Sequence, residues 1–184
     1  GCYYGHLRNL CGVKTASLLF YDAPLLIEEL FEKIHYFCEE GIKRIKKEGL
    51  KIDYLGFGED IAYKTSTLIS PATFKKFLFP KYKRIVKLAK EAGIELVLYD
   101  SDGNLNPFIE MYLEAGIDTF WPCEVAADMD PVVLRKRYGK RIKMMGGIDK
   151  REIAKGKKEI EREIMKKIPI IEEGGYIPRV DHSI

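Results

Sequence analysis

Along most of the chain a short apolar run gives way to a polar turn bearing Gly or Asp, then to a stretch with apolar positions at helical spacing. The runs are KIDYLGFGED (51–60), IELVLYDSDG (94–103), GIDTFWPCEV (116–125), RIKMMGGIDK (141–150) and GGYIPRVDHSI (174–184). Helical patterns lie at about 22–48, 71–92, 105–115, 131–138 and 151–172. Residues 1–7 read as a further strand-like piece, giving about six strands. Ser70-Pro71 marks a helix start, a capping hydroxyl before proline at the first helical position, and Gly93 and Gly116 mark helix ends.

Strands alternating with helices predict a parallel sheet with βα crossovers. A doubly wound sheet is the alternative, but no G-x-G-x-x-G follows an early strand. The pattern fits α/β architecture of the partial (β/α)8 TIM-barrel kind, with about six of eight strands. Residues 1–184 are expected to be one barrel domain. A full barrel needs about 250 residues, so the expectation is a domain truncated at the N-terminus and just after the last strand. Two amino-terminal βα units and a final helix would lie outside it.

Composition narrows the function classes. Lys+Arg 31 against Asp+Glu 28 gives +3, too even for nucleic-acid binding by bulk charge. The basic residues sit among acids on helical patterns and read as solvated faces. Four scattered cysteines without a C-x-x-C suit reduced thiols in a cytoplasmic protein. No apolar run reaches the length of a membrane span.

In such barrels the chemistry collects at the carboxyl ends of the strands. Asp100, Asp102, Glu59, Asp60, Cys123, Glu124, Asp149, Asp181 and His182 fall there. The adjacent carboxylates Glu59 and Asp60 would serve as proton donor or base if one were raised in pKa, or would form a loop ion pair with Lys64. Arg8, Lys64 and Arg179 would clamp substrate carboxylates, or each form a structural pair. Tyr99, with Tyr3, Tyr4, Tyr63, Phe120 and Trp121, would wall a flat pocket or fill the core. Cys123 reads as a buried thiol.

At GEDIAYKTSTLISPATFKKFLFPKYKRI, DSDGN, GGIDKREIAKG and GGYIPRVDHSI the sequence resembles the uroporphyrinogen decarboxylase family. The likeness runs in order along essentially the whole chain, as the family's C-terminal two thirds. It implies a (β/α)8 barrel in a group holding both decarboxylases and zinc-dependent methyltransferases that act between methyl-corrinoid proteins and thiols. GGID (146–149) is similar to the decarboxylases' Gly-Asn-Leu-Asp turn. Their last-strand element is reduced to RVDHSI, which keeps His182. Their substrate-facing tyrosine would fall within HLRNL, which has none, and their amino-terminal arginine motif would lie upstream of Gly1.

The methyltransferases carry His-x-Cys after the LVLY strand and a cysteine near the last strand's end. The resemblance places Asp100 and Asp102 at the first two positions and His182 at the third. Two carboxylates and an imidazole would suit zinc, iron or manganese; the aspartates would equally cap a helix or accept from loop amides.

The resemblance therefore implies an enzyme acting on an anionic organic substrate, with Glu59, Asp60 and His182 as catalytic candidates. The leading expectation is metal-assisted methyl transfer from a partner corrinoid protein. The alternatives are cofactor-free decarboxylation of a porphyrinogen-like carboxylate, and a barrel that binds a tetrapyrrole or corrinoid without turning it over. Neither nucleic acid nor membrane is expected as a partner.

Overall fold

The structure is a computed structural model and describes residues 2–183. Two helices come first, α1 (Tyr3–Asp22), kinked at Gly12, and α2 (Pro24–Lys47). Five strands follow with helices between them: β1 (Tyr54–Gly58), α3 (Pro71–Phe77), α4 (Phe79–Glu91), β2 (Leu96–Asp100), α5 (Ile109–Ala115) and β3 (Thr119–Trp121). Then come α6 (Pro131–Tyr138), β4 (Lys143–Ile148), α7 (Lys150–Ile153), α8 (Lys157–Glu172) and β5 (Tyr176–Val180). All strand pairs are parallel and the order is β1-β2-β3-β4-β5. This is the sequential, open arc of a (β/α)8 barrel.

Local chemistry sets the boundaries. Ser70 Oγ accepts from the Thr73 amide at 3.0 Å, with Pro71 opening α3. Asp130 and Asp149 cap α6 and α7 in the same way. Gly116 closes α5 in the left-handed region.

The two faces of the sheet differ. Phe57, Val97, Tyr99 and Phe120 point to the helices and are buried. They meet Phe74, Tyr82, Phe108 and Tyr112, with the Tyr99 and Tyr112 ring centroids 4.1 Å apart and those of Phe74 and Phe108 4.3 Å apart. Each such side chain removed from water stabilises by about 1.5–3 kcal/mol. The alternate positions Tyr54, Leu96, Leu98, Thr119, Met145 and Ile177 line the concave side, around a cavity of about 490 Å³.

One element differs from expectation. Tyr3–Leu7 is helical, so the described residues hold five strands rather than about six; Gly1, the first residue of the expected strand, and Ile184, the last of the expected 174–184 run, lie outside them. A short apolar run does not separate strand from helix by itself. Here the Glu59 carboxylate, 54 to 56 residues away, accepts from the amides of Tyr3 and Gly5. These are first-turn donors that a helix leaves unsatisfied, and a negative charge there also suits the helix dipole. The cap comes from distant sequence, beyond the reach of any local pattern. Gly5 permits the close approach: a Cβ there would stand 2.9 Å from the Gly58 carbonyl oxygen.

No single helix among the described residues is long and apolar enough to cross a membrane.

Candidate active site

Strand register brings one row of residues to the carboxyl edge of the concave face. Gly58 pairs with Asp100, Asp100 with Trp121, and Gly147 with Arg179. Side chains alternate faces along a strand, so Asp100 shares a face with Leu98 and stands opposite Tyr99. Gly58 leaves open space beside the Asp100 carboxylate, 3.9 Å from where a Cβ would sit.

Three aspartates gather at this edge. Asp60 accepts from the Asp102 amide through Oδ1 at 3.3 Å, and its Oδ2 pairs with Arg8 on α1 at 3.1 Å. Burial, reinforced by the charges of Asp60 and Asp102, pushes Asp100 up to about 6. Asp100 can therefore hold a proton up to about pH 6, where an ordinary aspartic acid is ionised.

His182 joins them from the chain following β5. Its Nε2 lies 3.2 Å from Asp102 Oδ2, and the Ser183 amide donates to its Nδ1 at 2.9 Å. A nitrogen that accepts from an amide carries a lone pair, so in the neutral ring the proton sits on Nε2 and is donated to Asp102. Both side chains keep 42% and 47% of their surface open, so a ligand can reach them.

Beside this pair the Arg179 guanidinium lies 5.5 Å from the Trp121 ring centroid. On the intervening strand Gly147 stands in register with Arg179 and packs against Pro131, where a Cβ would come within 2.1 Å of the proline ring. Asp102, Trp121, Arg179 and His182 line one cavity of about 360 Å³. A cation stacked on an aromatic face beside a proton-carrying pair suits a flat, anionic ligand.

Not every expected residue reaches this mouth. Glu59 and Asp60 diverge: Asp60 faces it, while Glu59 is buried on the helix side, taking hydrogen bonds from Tyr3, Gly5 and the Tyr82 hydroxyl. Burial pushes Glu59 up to about 7 against the pull of those donors. It holds α1 in place and has no path to a ligand, which corrects its assignment as catalytic. Tyr99, expected to touch substrate, is buried on the opposite face with Tyr82 and Tyr112; strand alternation decides against it. Asp60 pairs with Arg8 and not with Lys64, which is exposed in the loop after β1.

Asp100, Asp102 and His182 share the edge, but the imidazole proton is spent on Asp102. Among the described residues no three His, Cys, Asp or Glu side chains are gathered as an ion's ligand set. The arrangement thus does not fit a three-ligand metal centre.

Sequence reasoning placed Asp181 at a strand end but gave it no role, and the structure makes it an organising residue. It is buried, and its carboxylate accepts from the Val125 amide at 2.9 Å and the Lys150 amide at 3.1 Å. It ties the loops after β3 and β4 to the end of β5 and so fixes where His182 emerges. Its place beside His182 at a strand end was the available signal. Ser101 works similarly, its Oγ accepting from the Ile61 amide at 3.1 Å.

A sequential parallel arc with polar groups at its carboxyl edge defines a (β/α)-barrel domain of the kind that carries its site at that edge. The uroporphyrinogen decarboxylase (URO-D) family model matches residues 9–184, and the chain belongs to that family. No curated protein matches the sequence. Among solved structures, a methyltransferase from Methanosarcina mazei is similar in fold, with a TM-score of 0.57 at 17% identity. The match covers 76% of this chain and 39% of that one.

Proposed function

We propose that the protein acts on a flat, anionic organic substrate, of the polycarboxylated tetrapyrrole class, by proton transfer at the carboxyl edge of the sheet. The observation that carries this reading is the Asp102–His182 pair set in one cavity with Arg179 over Trp121. Arg179 holds a carboxylate, Trp121 offers a face to a planar ring, and the protonated Asp100 carboxyl supplies a proton. His182 is oriented by Asp102 to take up or pass on a proton through its ring. Decarboxylation fits these parts, since a proton must replace the departing carbon dioxide.

A second reading is metal-assisted methyl transfer from a methyl-corrinoid protein. It is supported by the methyltransferase among similar folds, against the lack of a gathered three-ligand set among the described residues.

One experiment separates them. The protein is incubated with a porphyrinogen polycarboxylate, following carbon dioxide release, and in parallel with methylcobalamin and a thiol, with and without chelator. Chelator-insensitive carbon dioxide release is the expected result. Methyl transfer that disappears with chelator, without carbon dioxide release, would replace this reading with the second.

A further inference from the structure

Away from the mouth, α2 and α4 enclose a cavity of about 270 Å³, lined by His35, Glu39, Arg84, Lys87, Leu88 and Glu91. His35 enters it from α2 and is only 1% exposed. Its ring stacks beside Tyr3, whose hydroxyl lies 2.8 Å from Nδ1. The other nitrogen, Nε2, is buried and has no hydrogen-bond partner among the described residues. A buried polar atom left in that state is uncommon and unfavourable.

Glu39, one helical turn on, faces this nitrogen. Its Oε2 stands 3.6 Å from Nε2, while Oε1 is taken by Lys43 Nζ at 2.8 Å. The gap of 3.6 Å is too wide for a hydrogen bond. It matches a different arrangement. Zinc binds imidazole nitrogen and carboxylate oxygen at about 2.0–2.2 Å in tetrahedral geometry, so two such ligands of one ion stand roughly 3.3–3.6 Å apart. The i,i+4 spacing puts both groups on one face of α2. Tyr3 is then the outer partner that fixes a ligating ring. With the ring proton on Nδ1 and donated to the Tyr3 oxygen, Nε2 turns a lone pair toward the cavity.

The cations lining the cavity are engaged elsewhere. Arg84 donates through Nη1 to both Glu32 oxygens, at 3.0 and 3.1 Å. Lys87 is 78% exposed, with Glu91 3.9 Å away. No third His, Cys, Asp or Glu is gathered with the pair among the described residues. The geometry points to His35 Nε2 and Glu39 Oε2 as a two-ligand site for a divalent, imidazole-seeking cation, zinc by these distances. Water from the cavity side fills the remaining positions, so the ion exchanges readily. Through Tyr3 the occupied site steadies the start of α1, the helix whose Arg8 holds Asp60.

The test titrates the whole chain, ¹⁵N-labelled at histidine and stripped of metal, with zinc chloride alone. Imidazole ¹⁵N spectra follow the three histidines, with His6→Gln and His182→Gln assigning His35 by elimination. The expected result is a saturable shift of His35 Nε2, reversed by EDTA. Glu39 is a quarter exposed, so Glu39→Gln should keep the wild-type melting curve. It should weaken zinc at His35 roughly tenfold or more, the loss of one charged partner. No His35 response up to millimolar zinc, or equal affinity in Glu39→Gln, would overturn the proposal. A response confined to His6 or His182 would overturn it equally.

Discussion

His182 Nε2 stands 3.2 Å from Asp102 Oδ2 while the Ser183 amide occupies the other ring nitrogen. The imidazole is thereby held by both of its nitrogens, and Asp102 is itself held through its amide by Asp60. Arg8 on α1 holds Asp60 in turn. A helix far from β5 in sequence thus helps orient the group at the end of β5.

Asp102→Asn removes the charge that orients the ring. Turnover should fall by about 100- to 10,000-fold, the range for losing a positioned proton-transfer group. Both side chains are half exposed, so the thermal midpoint should stay close to wild type. Steady-state rates beside a melting curve check this; a large loss of stability with normal turnover per folded molecule would make the pair structural.

Asp100 gives the reaction a pH dependence. Its carboxyl is raised to about 6 by burial and its neighbours' charges, so it donates a proton below that pH and loses the ability above it. Turnover should decline as pH rises through about 6, and Asp100→Asn should remove that limb of the profile. An unchanged limb in the variant would assign it to another group.

Arg179→Leu should weaken binding of a porphyrin polycarboxylate. Losing one charged hydrogen-bond partner costs about 1.5–3 kcal/mol, or roughly ten- to more than a hundredfold in affinity. Calorimetric titration measures it, and equal affinity in the two proteins would remove Arg179 from the ligand site.

Glu59 governs stability through its proton. The folded protein holds that proton up to about pH 7, the unfolded chain only to the ordinary glutamate value of about 4.5. Between these values the folded state binds more protons, so stability is greatest below 4.5 and is lost as pH rises toward 7, by roughly 3 kcal/mol in all. Glu59→Gln should abolish that slope. It should also cost about 1–3 kcal/mol, because an amide donor would face the donors that hold α1. Urea midpoints at several pH values read both effects.

Most of the fold was legible because strand and helix periods alternate and the turns carry their own punctuation, as at Ser70-Pro71 and Gly116. The start of α1 was not, because its cap is Glu59, supplied by tertiary structure. The site was half legible. Strand ends pointed to Asp60, Asp100, Asp102, Arg179 and His182, but side-chain direction was not readable without knowing which face is concave. That is why Glu59 and Tyr99 were placed at the mouth when alternation sends both to the helix side. The role of Asp181, already placed at a strand end, was not readable because its work is done through backbone amides of two other loops.

The central claim is that His182, held by Asp102, faces the bound anionic ligand, and imidazole ¹⁵N NMR tests it most directly. Spectra are recorded with and without saturating porphyrin polycarboxylate and assigned with His182→Gln among the three histidines. The expected result is a proton on Nε2 of His182 shared with Asp102 in the free protein, with nitrogen shifts that move on ligand addition while buried His35 stays unchanged. A His182 signal that does not respond at saturation would contradict the account.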